Sequence, residues 1–121
     1  MTGYDGRFDT VLDCALFHCF DAEQRARYAW ALRRVTTPGA ILHLMCFADG
    51  DDDGVPGTLP LTEVQVRAPL QDARWSIVEL RRGSVTFRAE PVAALMPDLS
   101  IPVDEHGRVR QPIWVVRAVR T

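Results

Sequence analysis

Five residues able to bind metals or move protons crowd into two short apolar stretches. Cys14, His18 and Cys19 fall within FDTVLDCALFHCF (residues 8–20), and His43 and Cys46 within AILHLMCF (residues 40–47). Zinc is the first chemistry to weigh, because thiolates and imidazoles are its usual ligands. The spacings are CxxxHC and HxxC, and neither matches the paired spacings of common structural sites. His43 and Cys46 stand three apart in a run that reads as strand, so they point to opposite faces. No metal is expected. His18 has a second possible role, as proton acceptor for a hydroxyl or amine, since imidazole titrates near neutrality. The competing reading is a partly buried histidine bonded to backbone, and the apolar context favours it. A third pattern is Asp49-Gly50-Asp51-Asp52-Asp53-Gly54, which matches the first half of a calcium loop. The match then fails: the twelfth position is Pro60 rather than glutamate, and Pro56 holds the eighth. A solvated acidic loop is the expectation.

Composition narrows the classes. At 121 residues the chain is one domain of ordinary size, and 47% apolar content can supply a core. The net charge is −2, which gives no basic excess for nucleic acid or a membrane surface. All 14 basic residues are arginine, and the lack of lysine excludes a Walker-type phosphate loop and Schiff-base chemistry. The three cysteines lie in or beside apolar runs, so reduced core thiols in a cytoplasmic protein are the simplest account.

These residues need elements to hold them. Residues 8–12 read as a strand, and residues 14–20 as an apolar turn or short helix. Asp21 caps a helix whose Tyr28, Ala31, Leu32 and Val35 form one apolar stripe. Arg33 and Arg34 suit its last turn, and Pro38-Gly39 stops it. Residues 40–47 form the strongest strand. They are apolar on both faces apart from His43, as in a strand covered by helices on both sides. Thr62 caps a short helix interrupted or ended near Pro69. Residues 75–80 and 84–88 alternate as strands, residues 90–111 read as an irregular excursion, and residues 113–119 form the last strand. Trp30, Trp75 and Trp114 are expected to pack in the core or on the sheet. The pair Arg81-Arg82 is expected to be solvated. Buried strands joined by a helix lie parallel, and the last strands return antiparallel. The expected fold is an open α/β sheet with an antiparallel element near one edge.

In that order and spacing, residues 4–49 resemble the second half of class I S-adenosylmethionine-dependent methyltransferases of the small-molecule type. The shared features are FDTVLD…LFH on a strand, a following helix, a V…PGG turn and an apolar strand. Here the turn is Val35, Thr36, Thr37, Pro38, Gly39, Ala40, with alanine in place of the second glycine. The resemblance implies a partial Rossmann-like sheet, from the fourth strand onward of a seven-stranded fold. It implies S-adenosylmethionine as cofactor. Asp13, Cys14, Ala15 and Leu16 would lie against that cofactor, Phe47 and Asp49 would lie on the acceptor side, and His18 becomes a candidate catalytic base.

The resemblance also marks what the sequence lacks. The family's first strand carries a Gly-rich turn that approaches the cofactor, followed by an acidic strand end that binds its ribose. The eight glycines here make no GxGxG. The first strand therefore resembles an interior strand whose usual neighbour is missing, and an open edge invites pairing. A second copy of the chain, a separately encoded N-terminal half, or a start site placed too far downstream would each account for it. Two functions stay open: the C-terminal half of a small-molecule methyltransferase, inactive by itself, or a non-catalytic half-domain that dimerises through its first strand.

Overall fold

The computed structural model describes residues 2–14, 16–49, 60–88 and 105–121. Its strands are β1 (Phe8–Cys14), β2 (Thr36–Phe47), β3 (Trp75–Arg88) and β4 (Arg108–Arg120), and its helices are α1 (Ala22–Val35) and α2 (Glu63–Asp72). The strands form one sheet in the order β1-β2-β4-β3. β1 runs parallel to β2, while β4 runs antiparallel to β2 and β3. This is the expected mixed sheet, with its antiparallel strand one place in from an edge.

Both helices start where side chains can satisfy free backbone donors. Asp21 accepts the Gln24 N–H at 2.8 Å, and the Gln24 side chain accepts the Asp21 N–H at 2.9 Å. Thr62 and Gln65 repeat this reciprocal cap on α2. α1 ends at Val35, before the Pro38-Gly39 pair expected to stop it. A continuing helix would need a Pro38 N–H to bond the Arg34 carbonyl, and proline has none. The Arg34 and Val35 carbonyls instead accept N–H donors from Gly6 and Arg7, each at 2.9 Å. The helix is not interrupted at Pro69 and ends three residues on, at Asp72. Pro69 lies within α2, and its carbonyl still accepts the Ala73 N–H at 3.1 Å.

The sheet corrects three further readings. The two runs at 75–80 and 84–88 form the single strand β3, because β4 pairs with it from Trp75 to Arg88 across a bulge between Ile77 and Glu79. β4 begins at Arg108, inside the stretch expected to be irregular, while residues 89–104 lie outside the described residues. The third concerns the faces of β2. Leu42, Leu44 and Cys46 are buried against Ala29, Leu32, Val66 and Leu70 of the two helices. The alternate residues Ile41 and His43 are exposed, and beside them Leu12 of β1 is 80% exposed. Among the described residues, helices cover one face of β2, not two.

The tryptophans divide accordingly. Trp75 and Trp114 are buried, with indole N–H groups donating to the Ala29 carbonyl at 3.1 Å and the Leu61 carbonyl at 2.8 Å. Trp30, expected in the core, lies on the outer side of α1 and is 47% exposed. The buried stripe of α1 is Arg25, Ala29, Leu32 and Val35, whereas Tyr28 and Ala31 of the expected stripe are half-buried; Trp30 sits off it.

The two faces should respond differently to truncation. Leu42→Ala should cost about 2–5 kcal/mol, whereas Leu12→Ala should stay within about 0.5 kcal/mol. Urea unfolding of both variants checks this, and equal losses would mean that the Leu12 face is covered.

Candidate functional site

β1 ends at Cys14, and the chain turns back over the carboxyl end of the sheet through one 3-10 turn, Phe17–Cys19. Ligands of open α/β sheets bind at this edge. Strand alternation sends Asp13 and Cys14 to opposite faces. Asp13 pairs across from Leu44, on the helix side, and is 4% exposed. Its Oδ1 accepts the Leu16 N–H at 3.1 Å, and its Oδ2 accepts the Tyr28 hydroxyl at 2.7 Å. Burial pushes the Tyr28 phenol well above its ordinary value, and the hydrogen bond and charge of Asp13 add to that. Cys14 and Leu16 are exposed; Ala15 lies outside the described residues.

His18 is buried, and its ring stacks on Phe47 at 4.1 Å. Its Nδ1 accepts the Phe47 backbone N–H at 3.0 Å. Neutral imidazole then carries its proton on Nε2, so in this arrangement the free side of the ring is a donor. Burial lowers the His18 pKa from 6.5, and the nearby Asp13 charge opposes that fall. The histidine bonded to backbone is what the geometry displays: His18 ties the turn to the end of β2.

Phe47 ends β2 at the same edge, and Asp49 follows two residues on. The Asp49 N–H donates to the Leu61 carbonyl, and the Leu61 N–H donates to the Phe47 carbonyl. The Asp49 carboxylate meets Arg82 at 3.3 Å, and Arg82 also donates to the Asp49 carbonyl. The same guanidinium lies 4.6 Å from the Trp114 ring centroid. Arg82 is exposed, as expected, and lies between a carboxylate and an aromatic face. Its neighbour Arg81 pairs with Glu79 at 3.0 Å. Nothing in the sequence signals the Arg82 contact, which joins residues 33 positions apart.

The cysteines separate in the same way. Cys46 is a core thiol whose pKa burial pushes up to about 12. Cys14 and Cys19 are exposed, which corrects the expectation of three core thiols. Exposed His43 and buried Cys46 do face opposite ways. No three potential metal ligands cluster among the described residues. The acidic stretch after Asp49, with Asp51 and Asp53, lies outside them.

A groove of about 390 Å³ lies on the open face of the sheet, lined by Leu12, Cys14, His43, Met45, Glu79 and Arg117 among others. It meets the turn at Cys14. Among the described residues the edge offers a wall and not a cradle. Both Asp13 oxygens are used internally, Asp49 is paired, and among the described residues the glycines with positive φ (Gly6, Gly39 and Gly107) lie away from the end of β1. These residues do not by themselves fit a nucleoside cofactor, which needs a close backbone approach and a free acidic side chain for its ribose.

No family model matches the chain. Over 67 residues it is 36% identical to the 2-heptyl-1-hydroxyquinolin-4(1H)-one methyltransferase of Mycobacteroides abscessus; the matched stretch is 54% of this chain and 30% of that protein. A putative methyltransferase from Bacillus halodurans aligns with 100% of this chain and 74% of its own, at a TM-score of 0.73 and 19% identity. A structure concerned with conversion of a disulfide bond into a thioacetal group during echinomycin biosynthesis aligns with 98% of this chain, at a TM-score of 0.68 and 23% identity. The 1,6-didemethyltoxoflavin-N1-methyltransferase of Burkholderia thailandensis, solved with S-adenosylhomocysteine bound, aligns with 97% of this chain and 45% of its own, at a TM-score of 0.62 and 16% identity. The chain has the class I S-adenosylmethionine-dependent methyltransferase-like fold. It spans 30% of the curated relative and 51% of the echinomycin-pathway chain.

His18 makes stability depend on pH. Its folded pKa lies below its unfolded value, so the unfolded chain takes up the proton first. Its contribution is present above about pH 6.5 and is lost as pH falls toward the folded pKa. Urea unfolding should show this decline, and His18→Asn, which keeps an acceptor near the Nδ1 position, should flatten it. An unchanged slope in that variant would assign the decline to other groups.

Proposed function

We propose that this chain is the C-terminal part of a small-molecule methyltransferase that draws its methyl group from S-adenosylmethionine. The observation that supports this most is the unit β1–turn–α1–β2, with its turn at the carboxyl end of the sheet, together with 36% identity to a methyltransferase acting on a hydroxyquinolinone. When bound, the cofactor supplies an electrophilic methyl on a sulfonium. In this reading Cys14 and Leu16 form one wall of its site, and Phe47 and Asp49 face the acceptor. His18 holds the wall against β2. Transfer from a sulfonium needs mainly positioning and exclusion of water, so the reading does not require His18 to act as a base. The Gly-rich turn and the ribose-binding carboxylate come from a segment that pairs with β1 and covers the open face. Three cysteines outside any disulfide suit a reducing compartment such as the cytoplasm. Among the described residues, no helix is long and apolar enough to cross a membrane.

A second reading is favoured by the exposure of Leu12 and by the position of β1 at the end of the sheet. Here the chain is a non-catalytic half-domain, and the free edge of β1 pairs with a second copy.

Calorimetry with S-adenosylmethionine and S-adenosylhomocysteine tests the first reading. The chain alone should give no heat of binding. Expressed with a designed segment supplying the missing strand and Gly-rich turn, it should bind in the micromolar range. A folded, assembled mixture that fails to bind would overturn the reading. Sedimentation equilibrium tests the second: a dimer that Leu12→Arg dissociates supports it, and a monomer at all concentrations rejects it.

A further inference from the structure

We infer that Asp13 is a positioning residue: with Tyr28 it holds the turn after β1 in place from inside the protein, and it does not itself contact a ligand. The inference rests on the reading of that turn as one wall of the site.

The argument begins with the face that Asp13 occupies. In β1, Val11 and Asp13 lie opposite Leu42 and Leu44 of β2, whose side chains are buried under the helices. Leu12 and Cys14 point the other way. A carboxylate at position 13 is therefore set into an apolar layer, where an unbonded charge is costly. Among the described residues no cation lies within ion-pair distance of it. Arg25, buried in the same region, donates to the Phe20 carbonyl instead. An aliphatic residue would pack beside Leu44 without that cost. The consequence of having aspartate here must therefore be sought in what its two oxygens bond.

Those bonds join three elements. Oδ2 takes the hydroxyl of Tyr28, at the middle of α1. The Tyr28 ring in turn lies 5.0 Å from the Phe20 ring and 6.2 Å from the Phe17 ring, at both ends of the turn. Oδ1 takes the N–H of Leu16, the residue that opens the turn. The Leu16 carbonyl then accepts the Cys19 N–H at 2.9 Å, which closes it. Fixing the Leu16 amide thus fixes the start of the turn, while His18 fixes its far side to Phe47. With both points held and Phe17 fully buried, Leu16 is left presented outward at 45% exposure. Orientation of a wall to within fractions of an ångström is what methyl transfer demands of its site. Asp13 meets that demand from beneath the wall.

Backbone amide exchange measured by NMR on the intact chain tests this, with Asp13→Ala, Asp13→Asn and Tyr28→Phe. Alanine removes both acceptors. The Leu16 and Cys19 amides should then lose protection about tenfold or more relative to the Leu44 and Val116 amides of β2 and β4, because local opening is cheaper than global opening. Asparagine should restore most of that protection, since its oxygen can accept the Leu16 N–H while its amide donates to the Tyr28 oxygen. Tyr28→Phe loses one bond with little change of volume, so it carries the test if the alanine variant fails to fold; the same two amides should again be affected first. Uniform loss across turn and sheet would reduce Asp13 to a general stabiliser and overturn the inference. So would an asparagine variant as exposed as the alanine one. The measurement needs no cofactor, so its failure leaves the methyl-transfer reading standing, and a failure of cofactor binding leaves this inference standing.

Discussion

From Ile41 to Met45 the central strand β2 is paired along both edges, and it is covered on one face. β1 pairs with it in parallel and β4 antiparallel, so the backbone groups of that stretch have partner strands on either side. Its side chains divide by parity. Leu42, Leu44 and Cys46 enter a core built with α1, α2 and Trp114, while Ile41 and His43 look outward. Most features of the molecule follow from this asymmetry. The helices must sit together on one side, and the last turn of α1 must be closed by Gly6 and Arg7. An apolar groove remains on the other side, and β1 stands as an edge.

The carboxyl end of the sheet is built by the same logic. Residues on the covered face are used to hold the turn, and residues on the open face are left free. Asp13 and Phe17 turn inward and tie the turn to α1, and buried His18 ties it to β2. Cys14 and Leu16 are exposed beside them. Arg82 does for the β2 end what Asp13 does for the β1 end, since it spans the Asp49 carboxylate and the Trp114 ring. The candidate site is therefore a wall in which Asp13 and His18 face the protein interior while Cys14 and Leu16 face outward. That fits a scaffold that completes its cofactor cradle with residues from elsewhere.

Several residues chosen for their reactivity serve packing instead. His18 has a pKa suited to proton transfer in the abstract, but burial and the Phe47 N–H make it a neutral acceptor at Nδ1. Cys46 is a buried thiol held far from its thiolate form. Residue type establishes what a side chain can do in water; its neighbours establish what it does here.

Much of the fold was legible in the residues alone. Capping pairs such as Asp21 with Gln24 are local, so the helix starts could be read directly, and the apolar runs of β1 and β2 with a helix between them imply parallel pairing. The motif order of residues 4–49 carried the methyltransferase-like fold. What the sequence could not settle depends on contacts between distant segments. Strand β3 runs unbroken through Arg81, Arg82 and Gly83 because β4 supplies partners along its whole length. The outward turn of Trp30 and the capture of Arg82 by Asp49 depend on which elements happen to lie beside them. The apolar character of both faces of β2 predicted cover on both, because hydrophobicity records that a face should be buried and not by which segment. Only the packed sheet decided that α1 and α2 take one face, that Asp13 looks inward, and that Leu12 is left exposed.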